Sequence, residues 1–174
     1  MPTERKVVLV KADDGHFAWM LEGEAAGSRF GLTLAPGGVD STSTLELLRK
    51  ITCELLDQYG RGTWLVVEGT EAVGLIGFKQ PPDEKGSVEI GYGIAASRRG
   101  RGLATLAVTE LLELTTAEAS IRAILAETSQ ANPASQRVLE KAGFEPFETR
   151  TDKEDGEMVR WKRSLASLAT GSPS

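Results

Sequence analysis

The spacing of apolar and polar positions changes several times along the chain, and each change marks an element. Residues 7–10 (Val-Val-Leu-Val) are mostly β-branched and predict a first strand. Asp13 and Asp14 then offer N-caps for a helix that carries His16, Phe17, Trp19 and Met20 through Leu21. Residues 29–40, with Gly31, Pro36, Gly37 and Gly38, predict a loop. Ser43 followed three residues later by Glu46 forms a capping box, after which Leu45, Leu48, Ile51 or Thr52, Leu55 and Tyr59 recur at helical spacing up to Gly60. From residue 64 the period shortens. Residues 64–68, 72–79 and 87–95 predict a meander of three strands, turned at Gly69 and across residues 81–86. Gly91 and Gly93 flank Tyr92 in the last of these. Glycine inside a strand weakens it, and marks either a bulge or a place where a ligand approaches the backbone. A helix with Leu103, Leu106, Ala107, Leu111 and Leu114 on one face follows, then a strand over residues 121–127. Asn132-Pro133 caps and opens a last helix that ends at Ala142 before Gly143. Residues 144–151 and 158–162 predict two final strands, and residues 165–174 a frayed tail.

No linker or internal repeat interrupts this order, so one domain over residues 1–164 is expected, of α/β (α+β) class. Composition agrees: of 174 residues, 40% are apolar and 26% charged, as in globular domains. No apolar run nears the roughly 20 residues of a membrane-spanning helix, and the first eleven residues lack a signal peptide's apolar stretch. A cytoplasmic protein with no membrane partner is expected. Cys53 is the only cysteine and His16 the only histidine, too few for a Cys/His zinc cluster, and no metal site is expected. The net charge of −5 argues against direct nucleic-acid binding. It resides in the first part of the chain: residues 1–97 hold fourteen acidic and nine basic side chains, whereas residues 98–174 hold eleven of each.

Between the third meander strand and the next helix stands Arg98-Arg99-Gly100-Arg101-Gly102, three arginines interleaved with two glycines. A helix N-terminus presents unpaired N–H groups and the positive end of the helix dipole, and glycines let a large anion reach that backbone. The combination predicts a phosphate or pyrophosphate cradle. It is not a P-loop, since G-x-x-x-x-G-K-[ST] is absent, nor a dinucleotide fingerprint, since Thr105 stands where G-x-G-x-x-G needs its third glycine. R-x-x-G-x-[GA] does fit, at Arg99, Gly102 and Ala104.

With that loop the sequence resembles the GNAT superfamily of acyl-CoA-dependent N-acyltransferases. Glu89-Ile90-Gly91-Tyr92-Gly93-Ile94 and the loop after it are similar to the family's fourth strand and pyrophosphate loop. Asn132-Pro133-Ala134-Ser135, continuing to Glu140-Lys141-Ala142-Gly143-Phe144, is similar to its N-x-x-S-x-x-x-x-E-K-x-G-F segment. The Asn-x-x-Ser form most resembles the branch that contains acetyltransferases of ribosomal-protein N-termini. The resemblance implies a mixed, mostly antiparallel sheet with helices on both faces and splayed fourth and fifth strands. It also implies acetyl-CoA as cosubstrate, held by Ile94, Ala95, Arg99, Gly100, Arg101, Gly102, Leu103 and Ala104, with Asn132 and Ser135 beyond the fifth strand, and a homodimer as a common assembly.

Acyl transfer to an amine needs a proton acceptor and, for the leaving thiolate, a hydrogen-bond donor or acid. Glu89 is the candidate base, its alternative a solvent-facing strand residue. Ser135 is the candidate donor, its alternative a helix-surface hydroxyl. The tyrosine that many relatives place before the Glu-Lys pair is Leu139 here, which leaves Ser135, Tyr92 or solvent for the acid role. His16 reads as a surface or packing residue, Cys53 as a small core residue, and Trp19, Trp64 and Trp161 as core or acceptor-groove walls. Two competing functions stay open: an acyl-CoA-binding module without catalysis, and an RNA or nucleotide binder using Arg98, Arg99 and Arg101. The acidic first half predicts a cationic amine acceptor.

Overall fold

The computed structural model describes residues 3–165. In chain order the elements are β1 (Val8–Lys11), α1 (Asp14–Glu22), β2 (Thr33–Leu34), α2 (Thr42–Tyr59), β3 (Thr63–Glu68), β4 (Glu71–Phe78), β5 (Ser87–Ile94), α3 (Leu103–Thr116), β6 (Ala123–Ser129), α4 (Pro133–Lys141), β7 (Glu145–Asp152) and β8 (Gly156–Ser164). One sheet runs β1-β3-β4-β5-β6-β8-β7, with β2 attached to β4. Its neighbours are antiparallel except β5 with β6 and β2 with β4.

Each face carries one helix pair. The apolar stripe of α1 and α2 sets Phe17, Trp19, Met20 and Leu45 against Leu65, Val67 and Leu75. On the opposite face α3 and α4 bring Leu103, Ala107, Val108, Leu111 and Leu139 onto Val66, Val73, Val88, Ile90 and Ile124. Burial of these side chains, worth roughly 1.5–3 kcal/mol each, is the main force that fixes both pairs. Trp19, Trp64 and Trp161 all belong to the core. Buried indole N–H groups need partners: that of Trp19 donates to the Gly27 carbonyl at 2.9 Å and that of Trp161 to Thr128 Oγ1 at 2.9 Å.

Four expectations are corrected. Helix α2 is capped by Ser41, whose hydroxyl accepts the Thr44 N–H at 3.2 Å, so Ser43 lies inside the first turn. The expected loop over residues 29–40 contains β2, which exists only because Thr33 and Leu34 pair in parallel with Glu71 and Ala72. Numbered with β2 included, the expected fourth and fifth strands are β5 and β6. Cys53 is exposed, because the buried positions of α2 are Leu45, Thr52 and Leu55 and its neighbour in sequence turns about 100° away from them. Strand β6 begins two residues later than expected and β8 two residues earlier, which tightens the β7–β8 turn. His16 packs as expected and also completes a capping box, with Asp13 Oδ1 accepting its backbone N–H at 3.1 Å. Of the expected tail, Leu165 is tied to the Arg122 carbonyl at 2.8 Å, while residues 166–174 lie outside the described residues.

Candidate active site

The central strands part where the sequence places its chemistry. β5 pairs with β6 only at Ser87, Val88 and Glu89, then stays with β4 through Ile94. Past Glu89, among the described residues no strand pairs with the β6-facing edge of β5, so the backbone groups of Tyr92 and the N–H of Ile94 on that edge are left for another partner, the Ile94 carbonyl being taken by Arg99. The splay opens toward the N-termini of α3 and α4, the elements that follow β5 and β6.

The loop after β5 makes one tight helical turn over Ala96–Arg98 and then enters α3 through two left-handed glycines, Gly100 at φ 78° and Gly102 at φ 75°. That conformation disfavours any residue with a Cβ, and it aims successive N–H groups outward. Among the described residues no backbone N–H from Gly100 to Thr105 donates to a protein acceptor. Gly102 occupies the N-cap without a side-chain cap. A cradle of free donors at the positive end of a 14-residue helix is thus in place. The three arginines divide: Arg98 is committed to Glu71 by bonds of 2.6 and 3.1 Å, and Arg99 Nε donates to the Ile94 carbonyl at 3.2 Å. Arg101 is exposed and makes no ion pair among the described residues, and Arg99 is exposed with its terminal guanidinium nitrogens unused, so these two arginines are available to an anion.

Across the splay, Asn132 caps α4, its Oδ1 accepting the Ser135 N–H at 3.1 Å. Its carbonyl oxygen is therefore consumed by the cap. Ser135 Oγ lies 2.8 Å from the Tyr92 hydroxyl, which also reaches the Ser135 carbonyl at 3.3 Å. Burial pushes the Tyr92 phenol above its ordinary pKa, an effect only partly offset by the bond from Ser135. Tyr92 stays protonated at neutral pH and can donate. Leu139 is fully buried in the core, so the family's tyrosine position is a packing position in this chain.

Glu89 faces away from Tyr92, since successive strand residues point to opposite faces. Its carboxylate is largely buried and lies 3.3 Å from Lys79 Nζ. Two groups not singled out in the sequence join it. Glu127, two residues beyond Glu89's partner Leu125 on β6, shares that face. Arg150 reaches Glu127 from β7 with bonds of 2.5 and 2.9 Å. The bond from Arg150 holds the Glu127 carboxyl below the ordinary glutamate range, which makes Glu127 a poorer base than a free glutamate. Only the alternation Leu125, Glu127, Ser129 along one strand hinted at it.

The pair has a consequence for acid stability. Because Glu127's folded pKa is lowered, its stabilisation is present above the ordinary glutamate range and is lost as pH falls through the lowered value. Arg150→Met should reduce stability at neutral pH, and the gap to the parent should close under acid; urea unfolding at several pH values measures both.

Comparison with known proteins places this geometry. Two curated relatives match. An uncharacterized N-acetyltransferase of Bacillus subtilis (strain 168), YjdG, is 31% identical over 107 residues, covering 60% of this chain and 64% of that protein. An uncharacterized N-acetyltransferase of Bacillus licheniformis, p20, is 30% identical over 88 residues, covering 51% and 49%. The matched segment therefore spans less than two thirds of either relative's length. Among solved structures, RimL, a ribosomal L7/L12 α-N-protein acetyltransferase in complex with coenzyme A, superimposes with a TM-score of 0.71 at 19% identity, covering 94% of this chain and 97% of that one. AAC(6')-Ib in complex with ribostamycin and coenzyme A gives 0.68 at 22% identity, covering 97% and 99%. These likenesses establish the fold. The acetyltransferase (GNAT) domain profile matches residues 7–145, and with it the chain belongs to the GNAT acetyltransferase family.

Proposed function

We propose that the chain is an acetyl-CoA-dependent N-acetyltransferase that acts on a primary amine by direct attack in a ternary complex. The observation that carries this reading is the alignment, along one open strand edge, of the free N–H cradle at Gly100–Thr105, the Tyr92–Ser135 pair on one face and Glu89 on the other. The cradle and Arg101 would hold the pyrophosphate, and Ile94 and Ala95 would flank the pantetheine. Glu89 would take the proton of the attacking amine as its nitrogen bonds to the acetyl carbon. As the C–S bond breaks, Ser135, hydrogen-bonded to the neutral Tyr92 phenol, would protonate or bond the departing sulfur. Asn132 contributes by fixing Ser135 at the first turn of α4.

Because Tyr92 and Ser135 act as one hydrogen-bonded unit, Tyr92→Phe and Ser135→Ala should each lower kcat by about tenfold to a hundredfold, and the double variant should lose little more than the worse single. Steady-state thiol release at saturating acetyl-CoA measures this. Additive losses would assign the two hydroxyls separate tasks.

The buried Leu139 keeps a second reading in view, an acyl-CoA-binding module without turnover. Tight coenzyme A binding with no thiol release on any of a broad panel of amines favours that module. A cytoplasmic setting and a homodimer belong to the main reading on the family resemblance. Among the described residues no helix is long and apolar enough to cross a membrane.

A further inference from the structure

A cavity of about 380 Å³ lies between α2 and the β4–β5 part of the sheet, on the Glu89 face. Its roof is apolar, formed by Leu47, Leu48 and Ile51 of α2, and its floor includes Gly91 and Gly93 of β5. Leu47 is 59% exposed at the rim.

The floor glycines are unusual for what does not explain them. Neither has a positive φ. Strand β5 keeps an unbroken register with β4 along this stretch, so there is no bulge. Close packing does not demand them either. A Cβ on Gly74 or Gly77 of β4 would strike backbone oxygens at 2.4 and 2.6 Å, whereas at Gly91 and Gly93 the nearest atoms are Lys79 Cε at 3.4 Å and Asp40 Oδ2 at 3.7 Å. Two glycines are thus kept in a strand, at a cost to its stability, where side chains would fit. What they preserve is the empty space.

Two charged side chains line the cavity, Lys79 and Asp40, and only Asp40 is left without an ion pair among the described residues. Lys79, beside Gly91, is already paired with Glu89. Asp40, beside Gly93, makes no ion pair among the described residues; one oxygen accepts the Ser41 N–H at 2.7 Å and the other faces the floor. The cavity therefore runs from its Lys79 end, where Glu89 pairs with that lysine, past an apolar middle, to the carboxylate of Asp40. Glu89 and Gly93 stand four positions apart on β5, a rise of roughly 13 Å.

We infer that this cavity is the acceptor subsite and that it selects an elongated amine with an apolar body and a second cationic group. The reacting amine sits at Glu89, the alkyl chain lies over Gly91 and Gly93, and the second cation pairs with Asp40. This rests on the acetyl-transfer reading and adds to it the substrate class. A polyhydroxylated amine would leave its hydroxyls unbonded against Leu47, Leu48 and Ile51.

The test compares cadaverine, pentylamine and ribostamycin as acceptors, with acetyl-CoA affinity measured separately by calorimetry. Cadaverine should exceed pentylamine in kcat/KM by about tenfold, the worth of one charge-assisted contact. Asp40→Asn should erase that advantage by raising KM for cadaverine alone, and Gly93→Val should impair both alkylamines while leaving acetyl-CoA affinity unchanged. Equal rates for the two alkylamines, equal losses for both in Asp40→Asn, a preference for ribostamycin, or acetyl-CoA binding without turnover of either alkylamine would each overturn the inference. Failure to bind acetyl-CoA at all would instead overturn the acetyl-transfer reading beneath it.

Discussion

Gly102→Val should weaken acetyl-CoA binding by about a hundredfold or more, equivalent to roughly 2.7 kcal/mol, while the protein stays folded. Gly102 is exposed, with nothing within 4 Å of the added Cβ, so the change creates no clash. It does place a β-branched residue at φ 75°, where such residues are strained. The chain can relieve that strain only by rotating the peptide units that point the N–H groups of residues 100–105 into one concavity. Backbone donors carry the pyrophosphate in this account, so their loss should outweigh that of any one arginine. Arg101→Gln should cost less, and Arg98→Gln, which removes a contact with Glu71, should leave acetyl-CoA affinity nearly unchanged. Calorimetric titration of the three variants gives the ranking. An affinity that follows the arginines and ignores Gly102 would mean that side-chain charge holds the cofactor.

Glu89→Gln should lower kcat by about a hundredfold to a thousandfold with the acetyl-CoA KM unaltered. The Glu89 side chain is 17% exposed and is held by Lys79, which lines the cavity. Removing its charge deletes the proton acceptor without touching the cradle. Activity should partly recover at alkaline pH, where the free amine is already deprotonated. Lys79→Met tests whether the lysine positions Glu89: it should lower kcat and leave acetyl-CoA affinity alone. A Glu89→Gln variant with parental kcat would pass the proton to water or to another carboxylate, and Glu127 is a poor choice because Arg150 holds its pKa down.

How much of this was legible in the sequence follows from how far apart the partners stand. Elements set by local periodicity, such as α2 and the β3–β4–β5 meander, and sites built within one segment, such as the Gly100–Gly102 loop and the Asn132 cap, could be read directly. Strand β2 could not, since two residues with no alternation become a strand only by pairing with Glu71 and Ala72. The cap of α2 was ambiguous because Ser41, Thr42, Ser43 and Thr44 all carry hydroxyls, and the one that bonds is decided by where the loop enters. The Tyr92–Ser135 and Glu127–Arg150 contacts and the placing of Asp40 beside Gly93 join residues 43, 23 and 53 positions apart in the chain, distances over which spacing carries no signal. Gly91 and Gly93 were visible as anomalies. The unbroken β4–β5 register removes the bulge as their cause and leaves ligand approach. The acidic first half is sharpened in the same way, from a net charge to two carboxylates, Asp40 in the cavity lining and Glu89 paired with the lining Lys79.

Direct attack predicts that acetyl passes from acetyl-CoA to the amine across the β5–β6 splay with both substrates bound. An initial-velocity matrix varying acetyl-CoA and amine together tests it most directly. Intersecting double-reciprocal lines, with no acetyl-protein surviving a quench, are the predicted result. Parallel lines with an isolable acetyl-enzyme would contradict it.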